Sequence, residues 1–78
     1  MDWTKPTTQM LGRFQPWHKG HTELFKRAVA KTGQVVIMLR MTVIDSDNPY
    51  DVNERIMQIA EALTAEGYLA QKDYTIIT

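Results

Sequence analysis

Two runs with helical periodicity, each ended by a glycine, separate three extended runs in this chain. The first helical run stops at Gly33 and the second at Gly67. The second run also has a start signal, because Asp51 stands three residues before Glu54, the spacing of a capping box. The predicted apolar faces are Leu24, Phe25, Ala28, Val29 and Thr32 in the first helix, and Val52, Ile56, Ile59, Ala60 and Leu63 in the second.

The extended runs predict a parallel sheet. Val35 to Leu39 is continuously apolar, which is typical of a strand covered on both faces. Thr7 to Leu11 and Tyr74 to Thr78 are the flanking strand candidates. The resulting order βαβαβ predicts an α/β fold, a Rossmann-like half whose three parallel strands lie in the order 3-2-1 with the helices packed on them. We expect one domain over residues 1–78, with ligands at the carboxyl ends of the strands.

Composition excludes several classes of function. Nine Lys and Arg against nine Asp and Glu give a formal charge of zero, so no global field attracts nucleic acid or an anionic membrane. The chain has no cysteine, which excludes disulfides and thiolate metal sites. No signal-peptide pattern and no run of membrane length is present. We therefore expect a cytoplasmic protein with neither a nucleic-acid partner nor a membrane partner.

The segment from Gly12 to His21 lies between the first predicted strand and the first predicted helix. Gly12 allows the backbone to turn tightly and to approach a phosphate closely, and Gly20 keeps bulk away from the helix entrance. His18 and His21 are three residues apart, so both imidazoles can converge above free N–H groups at the positive end of the helix dipole. This arrangement suits a triphosphate. Arg13 and Lys19 could add positive charge, although a cation in a loop is more often simply solvated.

Other interpretations of these residues stay open. The two histidines could be residues of a loop and a helix entrance without chemistry, or a zinc pair, although no third ligand of suitable spacing is evident. Trp17 could shield the site or pack against the loop. Asp45 and Asp47 could recognise substrate or metal, or could simply form turns. We expect no resident metal site.

The string GRFQPWHKGH, from Gly12 to His21, resembles the GRFQPxHxGH form of archaeal-type nicotinamide mononucleotide adenylyltransferases. These enzymes belong to the HxGH nucleotidyltransferase superfamily, whose folds are cytidylyltransferase-like. A second match is Asn48-Pro49-Tyr50 followed by Glu54-Arg55-Ile56-Met57, which is similar to the NPF…ERIxMI segment of that family. Together the two matches span most of the chain.

The resemblance implies transfer of a nucleoside monophosphate from ATP or CTP to a small phosphate-bearing acceptor, with release of pyrophosphate. Mg²⁺ would arrive with the triphosphate. The acceptor would be nicotinamide mononucleotide in the adenylyl form, or a small phosphate such as glycerol phosphate in the cytidylyl form. His18 and His21 would be catalytic, and Arg55 would bind substrate, although a helical Arg beside Glu54 is often merely solvated. Arg40 is a further candidate for binding substrate, because it directly follows the central strand at the ligand edge. The implied nucleotide-binding residues are Gly12, Arg13, Phe14, His18, Gly20 and His21.

One feature of the family has no counterpart here. Its members carry a second half with an ISxTxxR-like segment that grips the triphosphate, whereas this sequence ends at Thr78, within the third predicted strand. We therefore expect half of the site to be missing and the first strand to have an open edge, which favours a homodimer through that edge. The alternative is a noncatalytic nucleotide-binding or assembly module.

Overall fold

The computed structural model describes residues 1–14, 17–40 and 51–78. The elements alternate as predicted, and their bounds are β1 Thr8–Gly12, α1 Lys19–Thr32, β2 Val35–Leu39, α2 Val52–Ala65 and β3 Tyr74–Ile77. β2 has the predicted limits. β1 is shifted by one residue relative to the sequence prediction, and β3 ends one residue earlier.

The three strands form a parallel sheet with β2 in the centre. Thr8 of β1 is paired with Val35 of β2, which is paired in turn with Tyr74 of β3. The predicted fold class and strand order are therefore confirmed. Because all three strands run the same way, their carboxyl ends meet at one edge of the sheet.

One face of the sheet carries the hydrophobic core. Phe25 from α1, Ile59 and Leu63 from α2, and Ile37 from β2 are fully buried in a single cluster. The strand order advances in one direction, so right-handed crossovers place both helices on the same face. In the described part of the chain, both helices thus lie against the same face of β2, and Val36, on the opposite face of β2, is also buried.

The opposite face of the sheet presents a row of apolar side chains. Leu11, Met38 and Ile77 are aligned across the three strands by the parallel register. Leu11 is 67% exposed and Ile77 is 43% exposed. Leu24 of α1 is also exposed, although its periodicity predicted a core position, because it lies beside the open edge of β1.

The helix ends follow the sequence signals. Gly33 adopts a left-handed backbone with φ of 84° and caps α1, its N–H donating to the carbonyl of Val29. Asp51 precedes α2, and its carboxylate accepts the N–H of Glu54 at 2.8 Å. Each helix has 14 residues, and no helix in the described ranges is long and apolar enough to cross a membrane.

Candidate functional site

The ends of β1 and β2 and the start of α1 lie together at the carboxyl edge of the sheet. The N–H of Arg40, directly after β2, donates to the carbonyl of Gly12 at the end of β1 over 3.0 Å. The Arg13 and Arg40 side chains are both exposed there. The predicted site residues on these segments therefore share one edge, the one at which ligands bind in parallel α/β sheets.

The two histidines cap α1 reciprocally. His18 is the N-cap residue, and its Nδ1 accepts the N–H of Gly20 at 3.1 Å. His21 occupies the third helical position, and its Nδ1 accepts the N–H of His18 at 3.0 Å. In the common capping box these acceptors are Ser or Thr and Glu or Gln side chains. The imidazoles converge as predicted. The Gly20 N–H, which was expected to be free, is instead hydrogen-bonded to His18.

The two imidazole rings are stacked, with centroids 3.7 Å apart and planes inclined by 30°. Phe14 meets His21 edge-on at 4.9 Å, and Trp17 lies 5.2 Å from the same ring. Burial lowers the pKa of His21 below its ordinary value of 6.5, and the neighbouring His18 lowers it further. His21 is therefore a neutral imidazole at pH 7, able to donate one N–H.

Gly12 and Gly20 each lie close to an aromatic ring, so that a side chain at either position would crowd that ring. A Cβ placed on Gly20 would lie 2.9 Å from Cε1 of His18, and one on Gly12 would lie 3.2 Å from Cζ of Phe14. The sequence predicted the tight turn at Gly12. The left-handed backbone occurs instead at Phe14, whose φ is 51°, and Gly12 remains within β1.

Two buried aromatic side chains, Phe14 and Trp17, pack against each other and against His21. Phe14 and Trp17 are each 7% exposed, and their ring centroids lie 5.0 Å apart. The Trp17 indole donates its Nε1–H to Oγ1 of the buried Thr22 at 2.8 Å. Trp17 thus packs against Phe14 of the loop and against His21 of the candidate site, so both interpretations of Trp17 stay open. The Phe14 ring is buried among protein groups. Its predicted contact with the nucleotide stays a prediction.

Arg55 of α2 is almost completely buried, with 1% of its surface exposed. Its Nη1 donates to the carbonyl of Arg13 at 3.0 Å and to that of Arg40 at 2.7 Å. The interpretation of Arg55 as a solvated helical residue is therefore wrong. Through these two hydrogen bonds the guanidinium connects the segment after β1 to the end of β2. The predicted contact of Arg55 with substrate stays a prediction.

A groove of about 530 Å³ runs from the candidate site along the outer edge of β1 to the far end of α1. We call it the β1 groove. Its apolar walls include Leu11 and Leu24. Arg13, Arg27 and Lys31 also line it, and its described lining contains no acidic residue. The groove is therefore suited to apolar or negatively charged groups.

Several predicted residues lie outside the described ranges. These are Gln15 and Pro16 of the motif, Asp45 and Asp47, and the segment from Asn48 to Tyr50. Within residues 1–14, 17–40 and 51–78, no three His, Cys, Asp or Glu side chains are grouped so as to hold a metal ion. The roles considered for the two aspartates stay predictions.

The sequence contains a signal for the histidine cap. His18 and His21 have the N-cap and third-position spacing of a capping box, although their imidazoles are not the usual capping side chains. The burial of Arg55 carried no comparable signal, because it depends on where two distant strand ends meet.

Comparison with known proteins identifies several relatives of this chain. A nicotinamide-nucleotide adenylyltransferase of Ignicoccus hospitalis is 36% identical over 67 residues, covering 83% of this chain and 39% of that protein. One from Thermoplasma acidophilum is 36% identical over 62 residues, covering 73% of this chain and 33% of that protein. An uncharacterised protein of Archaeoglobus fulgidus is 40% identical over 63 residues, covering 74% and 34%.

The chain thus spans between 33% and 39% of the length of these relatives. Residues 10–78 match the family described as cytidylyltransferase-like. That match includes the end of β1 from Met10, the histidine cap, both helices, β2 and β3. This chain belongs to the cytidylyltransferase-like family.

Proposed function

We propose that this chain supplies the triphosphate-binding half of a nucleotidyltransferase site. The reaction would transfer a nucleoside monophosphate from ATP or CTP to a small phosphate-bearing acceptor. The observation that carries the proposal is the reciprocal histidine cap at the carboxyl edge of the sheet, within a chain of this family. The relatives named as nicotinamide-nucleotide adenylyltransferases favour ATP and a nicotinamide mononucleotide-like acceptor.

In the proposed reaction an oxygen of the acceptor phosphate forms a bond to the α-phosphorus of the nucleotide. The bond from that phosphorus to the oxygen bridging to the β-phosphate breaks, and pyrophosphate leaves with its Mg²⁺. No covalent enzyme intermediate is needed. The protein aligns two anions and stabilises charge that develops on the α-phosphate and the leaving group.

The residues at the edge of the sheet match these demands. The N-terminus of α1 attracts anions, and the Nε2 atom of each histidine makes no hydrogen bond to the described residues. Two N–H donors are therefore available to phosphate oxygens. The exposed Arg13 and Arg40 add positive charge beside them. We propose His18 and His21 as the catalytic donors, Gly12, Arg13, Phe14 and Gly20 as further nucleotide-binding residues, and Arg40 and Arg55 as substrate-binding residues.

A noncatalytic nucleotide-binding module is the second candidate. It would use the same histidine cap and the exposed arginines to hold a triphosphate, without the transfer step. A cytidylyltransferase acting on glycerol phosphate is a variant of the first candidate. A cytoplasmic location and the lack of nucleic-acid and membrane partners stay predictions.

We also propose that a second copy of this chain binds at the β1 edge. The N–H of Thr8 and the carbonyl of Gly12 point toward β2, so the main-chain groups of Gln9 and Leu11 face outward. An outward-facing strand edge is a template for pairing. The apolar row of Leu11, Met38 and Ile77 adjoins it. Sedimentation velocity at increasing protein concentration should show a dimer, and a monomer throughout would overturn this part of the proposal.

A pyrophosphate-release screen tests the reaction. The full chain is incubated with Mg²⁺ and either ATP or CTP, together with nicotinamide mononucleotide or glycerol phosphate as acceptor. Release that requires one nucleotide and one acceptor supports the transferase and identifies both substrates. Calorimetric binding of ATP without release in any pair supports the noncatalytic module. The Glu61→Ala variant, exposed on α2, is the control and should behave as the wild type.

A further inference from the structure

We infer that the first turn of α1 holds both imidazoles in the tautomer protonated at Nε2, and that Gly20 is the positioning residue that makes this possible. The helix cap occupies Nδ1 of both rings, and this fixes the tautomer. The consequence for phosphate binding rests on the proposed function.

A main-chain N–H always carries its proton, so a ring nitrogen that accepts from it cannot carry one. Nδ1 of His18 accepts from Gly20, and Nδ1 of His21 accepts from His18. A neutral imidazole has a single N–H, at one nitrogen or the other. In both rings that proton must therefore be on Nε2. Each of the two stacked rings then presents one Nε2–H donor.

Gly20 is required because the His18 ring folds back over the main chain of the second helical residue. A Cβ there would lie 2.9 Å from Cε1 and 3.1 Å from Nδ1 of that ring. Real Cβ contacts of 2.9 Å essentially never occur, so the ring must move. It is the far end of a flexible side chain, and it can move without disturbing the fold. The displacement removes the Nδ1 acceptor from the N–H of residue 20.

The cap also limits the chemistry of the histidines. An imidazolium carries a proton on both nitrogens, so protonation of either ring breaks its capping hydrogen bond. Nδ1 is likewise unavailable as a general base while the cap is intact. The arrangement therefore selects neutral hydrogen-bond donors over proton carriers, which suits a reaction that needs charge stabilisation on phosphate oxygens.

Nitrogen NMR of isotope-labelled protein without ligand tests the inference directly, because the chain contains only two histidines. At a pH where both rings are neutral, we expect both Nδ1 resonances to be of the unprotonated type and both Nε2 resonances of the protonated type. Scalar couplings across the hydrogen bonds should join Nδ1 of His18 to the Gly20 amide and Nδ1 of His21 to the His18 amide. A protonated Nδ1 in either ring would overturn the inference.

The Gly20→Ala variant tests the positioning role. It should remain folded by circular dichroism, lose the coupling between His18 and residue 20, and keep the coupling within the His21 to His18 bond. Glu23→Ala, an exposed substitution in the same helix, should keep both couplings. If Gly20→Ala retains the His18 coupling, Gly20 is not the positioning residue. Should that variant fail to fold, Gly20→Ser provides the same comparison.

Titration with inorganic triphosphate separates this inference from the proposed function. If both hold, the Nε2 resonances shift on binding in the wild type, and the apparent affinity falls by at least tenfold in Gly20→Ala. Intact couplings without any response to triphosphate would uphold the tautomer assignment and argue against the triphosphate site. Equal affinities in the wild type and the variant would show that Gly20 does not position a donor for phosphate.

Discussion

At the scale of single residues, His18 and His21 combine a structural and a proposed chemical role in different atoms of the same ring. Nδ1 of each caps α1, and Nε2 of each is left for a ligand. Substitutions can therefore separate the two roles. A residue that retains the capping acceptor but has no donor in the position of Nε2 should preserve stability while removing the proposed function.

We expect His18→Ala to lower the free energy of unfolding by about 1 kcal/mol, because an N-cap acceptor is lost. His18→Asn should stay within a few tenths of the wild type, since Asn is among the best N-cap residues. Both variants should lose about 10²- to 10³-fold in any pyrophosphate-release rate. Urea unfolding and the release assay measure the two effects. Unchanged turnover in His18→Asn would contradict the proposed role of Nε2.

The lowered pKa of His21 predicts how stability depends on pH. Its folded-state pKa lies below the ordinary 6.5, so the unfolded chain binds the proton more readily. The free energy of unfolding should be highest above about pH 6.5 and should fall as the pH drops through the folded-state pKa. Urea unfolding between about pH 8 and about pH 5 measures this.

His21→Gln is the control for the pH experiment. Glutamine at the third helical position can still accept the N-cap N–H, but it does not titrate. Its stability should decrease less steeply over the same pH interval than that of the wild type. Equal slopes in the two proteins would show that His21 does not cause the dependence.

At the scale of secondary-structure elements, Arg55 connects three parts of the fold. It projects from α2 and donates through Nη1 to main-chain carbonyls that follow β1 and β2. These carbonyls flank the candidate site. The orientation of α2 against the sheet is therefore linked to the spacing of the two strand ends that carry Arg13 and Arg40.

Arg55→Met should lower the free energy of unfolding by about 2–3 kcal/mol, because hydrogen bonds from a charged donor are lost in a buried place. Arg27→Met, an exposed substitution on α1, should change it by less than about 0.5 kcal/mol. Urea unfolding of both variants gives the comparison. Equal midpoints for Arg55→Met and the wild type would show that these hydrogen bonds do not stabilise the fold.

At the scale of the whole molecule, both described helices pack on one face of the sheet, and Leu11 and Ile77 are exposed on the opposite face. β1 lies at the edge, with the β1 groove beside it. Leu11 takes part in both features, since it lines the groove and belongs to the apolar row on the opposite face. A proposed second copy would cover this surface.

Leu11→Lys should therefore shift the proposed dimer toward monomer, because it places a charge in the surface to be buried. Leu69→Lys is the matched control, since Leu69 is also exposed but follows α2, away from β1. Sedimentation velocity at a fixed concentration compares the two variants. Dimer dissociation in both variants, or in neither, would contradict pairing through the β1 edge.

The sequence by itself determined the order of elements, the helix ends at Gly33 and Asp51, and the position of the motif between β1 and α1. These features depend on local patterns such as periodicity, turn residues and caps, which neighbouring residues specify. Only the tertiary structure decided that both helices share one face, that Arg55 is buried, and that Gly12 accommodates Phe14. Each of these depends on contacts between segments distant along the chain or on where a folded ring comes to lie. No local sequence pattern specifies these contacts or the position of such a ring.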